Sequence, residues 1–184
     1  MTGVQTCALP IYYGQGCLAN LPSEVDRLGA SRVFIITGHS LKEQGTLLGR
    51  IQDLLGDRCA GVFAETRQHV PRETVLAATR AAQKVDADLL ISFGGGTPND
   101  TAKLVALCLA ENITSTDQLD RYRIRFQYPD KLDVPTPTNP CLPHISIPLL
   151  CLPGSSPTSP ALPTLTARSK TFIPARTCGS RRPS

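Results

Sequence analysis

The chain has 184 residues, of which 41% are hydrophobic and 18% charged, enough for one domain with a sizeable core plus a polar addition. Its formal charge of +4 does not signal a nucleic-acid partner: all 15 acidic residues lie at or before Asp133, while residues 149–184 hold five Lys or Arg and no acid. No run approaches the roughly 18 apolar residues of a membrane span, and no basic segment leads into a long apolar core as in a signal peptide, so the composition reads as a cytoplasmic protein without a membrane partner.

In chain order, the first eleven residues, Met1 to Ile11, closely resemble a translated sequencing-adapter fragment and are expected to stand outside the fold. The body runs from about residue 12 to 148. Val33-Phe34-Ile35-Ile36-Thr37 is a short apolar run rich in β-branched residues, the pattern of a buried strand. Ser40 and Glu43 form a capping-box pair, and Leu47, Leu48, Ile51 and Leu55 then share one helical face. Gly61-Val62-Phe63-Ala64 is a weaker strand. Pro71 suits a first helical turn, after which Val75, Ala78, Ala82 and Val85 keep helical spacing. Leu89-Leu90-Ile91-Ser92-Phe93 is a third buried strand. It runs into three glycines, and Ala102, Val105, Ala106 and Leu109 mark one face of the helix that follows. Strands separated by helices of this length predict an α/β fold: a Rossmann-like, doubly wound, mainly parallel sheet with helices on both faces.

Residues 149–184 differ. They contain six prolines and eleven Ser or Thr, with neither helical nor strand periodicity. An irregular, disordered tail is expected.

The strand–glycine–helix junction carries the chemistry. Glycine has no Cβ, so backbone there can adopt positive φ and approach a ligand closely. The helix N-terminus adds unpaired N–H groups and the positive end of its dipole. Together they suit a pyrophosphate. Thr97 is the expected N-cap, with Pro98 at the first helical position and Asp100 completing the capping pattern. The motif is neither GxGxxG nor a Walker A loop. A tight turn that binds nothing is the bland alternative. Asp100 reads either as a carboxylate complementing the helix dipole or as a cofactor contact, and Lys103 as a solvated side chain. A second polar turn, Thr37-Gly38-His39-Ser40, occupies the same sheet edge. Gly38 supplies no carboxylate for a ribose 2′-hydroxyl, which leaves NADP at least as plausible as NAD.

Gly94-Gly95-Gly96-Thr97-Pro98-Asn99-Asp100-Thr101-Ala102-Lys103 resembles the GGGS-x-x-D-x-x-K signature of the iron-type (group III) alcohol dehydrogenase superfamily. Tyr12-Tyr13-Gly14-Gln15-Gly16, Ile36-Thr37-Gly38-His39-Ser40-Leu41 and Pro143-His144-Ile145-Ser146-Ile147-Pro148 add to the likeness, which covers residues 12–148. Within the superfamily the chain is most similar to maleylacetate-reductase-like members. The resemblance implies that Gly95, Gly96, Thr97, Asn99 and Asp100 contact an NAD or NADP cofactor, with Gly38 at the adenine-ribose corner. It implies a small-molecule alcohol or carbonyl substrate and a homo-oligomeric parent. It also implies an all-helical second domain whose Asp and His residues hold Fe²⁺ or Zn²⁺. Those ligands have no counterpart in the 184 residues, so the chain reads as an inactive, nucleotide-binding part of an oxidoreductase. The dehydroquinate-synthase and sugar-alcohol-phosphate branches share the glycine turn and stay open as alternatives. In the family the segment ending at Pro148 precedes a Thr-Thr turn; restoring one base before Leu149 yields Thr-Thr-Leu-Ser-Ala-Gly-Glu-Phe-Thr, so the tail is read as out of frame.

Other constellations carry less. His39, His69 and His144 have no HxxxH or HExxH partner and read as surface or loop histidines. The seven cysteines form no CxxC and are odd in number, as expected of reduced thiols. Arg121-Tyr122-Arg123-Ile124-Arg125-Phe126-Gln127-Tyr128 alternates basic and apolar residues. Flanking aspartates cancel its charge, so it reads as a half-exposed strand or ordered loop rather than a nucleic-acid-binding strand.

Overall fold

The computed structural model describes residues 10–123, 125–127, 131–133, 135–149 and 165–168. In chain order these form β1 (Ile11–Tyr12), α1 (Leu21–Leu28), β2 (Val33–Thr37), α2 (His39–Gln44), α3 (Thr46–Leu55), β3 (Cys59–Phe63), α4 (Arg72–Lys84), β4 (Leu89–Gly94), α5 (Gly96–Ala110), β5 (Arg125–Gln127), β6 (Lys131–Asp133), β7 (His144–Pro148) and β8 (Leu165–Arg168). Strands β3, β2, β4 and β7 are parallel neighbours in that order. Strand β8 adds antiparallel to β7, and β1 antiparallel to β8. The fold is the α/β, mainly parallel, Rossmann-like architecture that the alternation of strands and helices predicts.

Side chains of successive strand residues point to opposite faces, so each inner strand feeds two cores. On one face Val33, Ile35, Leu89, Ile91, Phe93, Ile145 and Ile147 pack against Leu21 and Val25 of α1 and Leu48, Ile51 and Leu55 of α3. On the other, Phe34, Ile36 and Leu90 meet Val75, Ala78 and Ala82 of α4 and Ala102, Val105 and Ala106 of α5. Ile35 sits opposite Ile91, and Ile91 opposite Ile145, so three fully buried isoleucines cross the sheet in one row. Burying each contributes roughly 1.5–3 kcal/mol of transfer free energy. The crossover from β2 to β3 runs through α3 on the first face, whereas those from β3 to β4 and from β4 to β7 run through α4 and α5 on the second. Strand order therefore reverses between β2 and β4, which opens a crevice at their carboxyl ends.

Several local expectations are corrected. The Ser40–Glu43 capping box does not form: Gly38 is the N-cap of α2 and makes no side-chain cap, and Ser40 lies inside the helix. The stretch leading to Leu55 is two helices, because Gly45 has φ 65°, a left-handed value that no continuous right-handed helix contains. Pro71 is the residue before α4 rather than within it, with ψ 138°. Helix α1, which is not among the expected elements, ends at Gly29 with φ 65°. Arg125–Gln127, by contrast, is a strand, one of the two forms expected there, and pairs antiparallel with Lys131–Asp133.

The expected boundaries also shift. Ile11, placed in the leader, belongs to β1. Leu149, the first residue of the expected tail, is 7% exposed and sits in the core. Leu165–Arg168 lies in the same tail and forms β8, where the unpaired flank of β7 accepts a further ladder. The remainder of the tail and residues 1–9 fall outside the described residues.

Candidate dinucleotide site

Three bonds join the chain segments at the carboxyl ends of the strands, one of them directly from β2 to β4. The Thr37 hydroxyl donates to the Phe93 carbonyl at 2.9 Å, and the Thr66 hydroxyl to the Thr37 carbonyl at 2.9 Å. The Leu149 amide donates to the Gly94 carbonyl at 2.9 Å, which brings the chain beyond β7 to the same edge. Gly38 follows β2 directly, half-buried and extended, and a Cβ there would meet the Thr66 hydroxyl at an ordinary 3.7 Å.

The three glycines have different jobs. Gly94 has φ 133°, and a Cβ on it would come within 2.9 Å of Leu41 and 3.1 Å of Pro98. That position is fixed by packing and backbone conformation. Gly95 and Gly96 are exposed, and a Cβ on either would meet nothing within 4 Å among the described residues. Among the described residues the space over them is open. Gly95 is the N-cap of α5, with no side-chain cap. The amides of Gly95, Gly96 and Thr97 therefore lack intrahelical partners, and Pro98 has no N–H to leave unsatisfied. Thr97 is thus not the N-cap. Gly94 completes the turn in one residue, so the helix starts at Gly96 and the Thr97 carbonyl already accepts from the Thr101 hydroxyl at 2.8 Å. The amides nonetheless lie at exposed glycines at the positive end of a 15-residue helix.

Asn99 lies one turn in and is half-buried. Its Oδ1 accepts from the Ser92 hydroxyl at 3.3 Å, and Ser92 Oγ lies 2.8 Å from His144 Nε2. His144 is 8% exposed on β7, so its reading as a surface or loop histidine is corrected. The alternation of His144, Ile145, Ser146 and Ile147 is the signal that could have placed it on the face beneath α5. Asp100 is exposed and pairs with Lys103 at 2.9 Å across one helical turn. Such a pair contributes little to stability. His39 is also exposed, with Nδ1 3.4 Å from Glu43.

Away from this edge, acids serve as staples. The Asp88 carboxylate accepts from the amides of Ser31 and Arg32 and from the Ser31 hydroxyl, at 2.8–2.9 Å. Burial pushes its pKa up, but those bonds outweigh burial and hold it below 3.8. Glu24, 3% exposed, takes two bonds from Arg27 and one from the Tyr12 hydroxyl. Burial again acts upward, and Arg27 and Tyr12 prevail, so Glu24 titrates below 4.5. Burial raises the thiols of Cys59, Cys108 and Cys141. Among the described residues no group of three or more His, Cys, Asp or Glu could hold a metal ion. A recess of about 390 Å³ lined by Arg32, Asp86, Ala87 and Leu142 lies at the opposite edge, where the strands begin.

Residues 10–177 match the model of the iron-containing alcohol dehydrogenase family. The chain is 37% identical over 99 residues to maleylacetate reductase 1 of Cupriavidus pinatubonensis, a match covering 54% of this chain and 27% of that protein. Among solved structures, NADH-dependent butanol dehydrogenase A of Thermotoga maritima superposes with a TM-score of 0.56 at 21% identity, covering 74% of this chain and 32% of that one. An archaeal halo-thermophilic Red Sea brine pool alcohol dehydrogenase gives 0.58 at 20% identity, over 80% and 37%. At those identities the two structures speak for the fold. The chain spans about a quarter of the length of the curated relatives it matches.

Proposed function

This chain belongs to the iron-containing alcohol dehydrogenase family, and from that premise we propose that it is the dinucleotide-binding part of an NAD(P)-dependent oxidoreductase acting on a small alcohol or carbonyl compound. The observation that carries the reading is the open space over Gly95 and Gly96 at the start of α5, in the crevice where strand order reverses. There the amides of Gly95, Gly96 and Thr97 take the pyrophosphate, Asn99 and Asp100 contribute polar side chains, and Gly38 lines the adenine-ribose corner. Bound NAD or NADP supplies the hydride acceptor or donor. This chain's own groups hold and orient it.

A metal is a different matter. The family name implies iron, and Fe²⁺ or Zn²⁺ belongs to the proposal for the whole protein. The described residues offer no ligand cluster for it, so no step here runs through a metal. That observation favours a second, compatible reading of the 184-residue polypeptide as a nucleotide-binding unit without turnover. Maleylacetate reductases among the relatives support a carbonyl acid as the kind of substrate.

The test is a titration of the purified chain with NAD⁺ and NADP⁺, followed by an alcohol-oxidation assay with added Fe²⁺ or Zn²⁺. Weak binding and no turnover are expected. Metal-dependent alcohol oxidation by the chain alone would overturn the reading.

A further inference from the structure

Beneath the first turns of α5, the sheet face is polar where the rest of that layer is apolar. Ser92 is 2% exposed and His144 8%, and they join β4 to β7 through a 2.8 Å contact. From Ser92 the contact continues to Asn99 Oδ1 at 3.3 Å. Two strands thus place buried polar groups under one half-exposed amide beside the glycine turn.

With the Asn99 oxygen turned toward Ser92, the donor count gives this chain a direction. An amide oxygen only accepts, so Ser92 spends its one hydroxyl proton on Asn99. Ser92 Oγ then has only acceptor capacity left for His144, and His144 Nε2 must carry the proton it donates. The opposite arrangement is equally simple to write. With the proton on Nδ1, Nε2 would accept from Ser92, Ser92 would accept from the Asn99 NH₂, and the amide oxygen would face outward. An outward oxygen repels a phosphate, whereas an outward NH₂ donates to it.

We infer that His144 is a positioning residue that sets, through Ser92, which end of the Asn99 amide faces a bound dinucleotide. The inference rests on the cofactor reading above. His144 touches no ligand; its Nε2–H holds Ser92 as an acceptor, Ser92 holds the Asn99 oxygen inward, and the amide nitrogen is left for the pyrophosphate. The chain of bonds lies within two strands and the helix they support, so it is formed before the ligand arrives.

The first experiment needs no substitution. Nitrogen-15 imidazole correlations of the full chain at alkaline pH, where the ring is neutral, report the tautomer. The proton on Nε2 is expected, and a proton on Nδ1 overturns the inference. The second uses NAD⁺ as the probe, followed by backbone-amide shifts. Ser92→Ala and His144→Leu should each weaken NAD⁺ binding about fivefold, the worth of one net hydrogen bond. His144→Gln, which can place an amide donor near the Nε2 position, should restore affinity to within about twofold of the parent chain. Unchanged affinity in Ser92→Ala, in a chain where Asn99→Ala weakens binding, overturns the positioning role. If NAD⁺ leaves the Gly95–Thr97 amides of the parent chain unshifted, the cofactor reading fails, while the tautomer still decides the direction of the bonds.

Discussion

Gly94 and Leu41 approach so closely that a Cβ on the glycine would stand 2.9 Å from the leucine Cδ1. With φ at 133°, Gly94 is held by conformation and by space together. Gly94→Ala is expected to destabilise the chain by roughly 2–4 kcal/mol, the sum of backbone strain and crowding. Gly95→Ala meets open space at φ −79° and should change stability by less than about 0.5 kcal/mol. Its methyl would instead stand over the helix amides and weaken dinucleotide binding about tenfold. Urea midpoints and a cofactor titration separate the two effects.

Gly38 places no carboxylate at the neighbouring turn. It is extended, and its nearest obstacle to a Cβ is the Thr66 hydroxyl at 3.7 Å, so the backbone accepts a side chain there. A carboxylate there would accept from a ribose 2′-hydroxyl and repel a 2′-phosphate. Gly38→Asp is expected to shift the NAD⁺ to NADP⁺ affinity ratio about tenfold toward NAD⁺. Paired titrations with the two cofactors measure the ratio, and an unchanged ratio would remove Gly38 from the adenine-ribose corner.

Acid should weaken the fold through two staples. The carboxyls of Asp88 and Glu24 titrate lower in the folded chain than their ordinary 3.8 and 4.5. A lowered folded pKa stabilises above the unfolded value and is lost as pH falls through the folded one. Their contribution should therefore be constant from neutrality down to about pH 5 and decline below it. Asp88→Ala removes three acceptor bonds linking the start of β2 to the start of β4, and should cost about 1–3 kcal/mol at neutral pH. The same variant should flatten part of the acid limb in thermal melts recorded from neutral to acid pH.

Glu24 tests the second staple separately. Glu24→Ala leaves the Arg27 guanidinium and the Tyr12 hydroxyl without the carboxylate they share, and should lower stability by about 2–3 kcal/mol. Denaturant melts at neutral pH check this. A loss below about 0.5 kcal/mol would mean that solvent replaces those bonds.

Much of the fold was legible because buried parallel strands have to be apolar on both faces. Val33–Thr37 and Leu89–Phe93 announce themselves that way, and Leu48, Ile51 and Leu55 mark the face α3 buries. Capping was less legible. Thr97 and Ser40 have the right chemistry for caps, yet the glycine two positions ahead of each is the N-cap. Strand β8 was invisible, because four residues in a proline-rich stretch gain their pattern from the edge of β7 rather than from themselves. His144 was legible only in part: its alternation with Ile145 and Ile147 marks a sheet face, but only the fold sets it beside Ser92.

The central claim concerns the amides at the start of α5. The most direct measurement is a backbone-amide shift map of the full chain during titration with NAD⁺ and NADP⁺. The account predicts saturable shifts concentrated at Gly95, Gly96, Thr97 and Gly38. Absence of shifts there, or shifts gathered instead around Arg32, Asp86 and Leu142 at the opposite edge of the sheet, would contradict it.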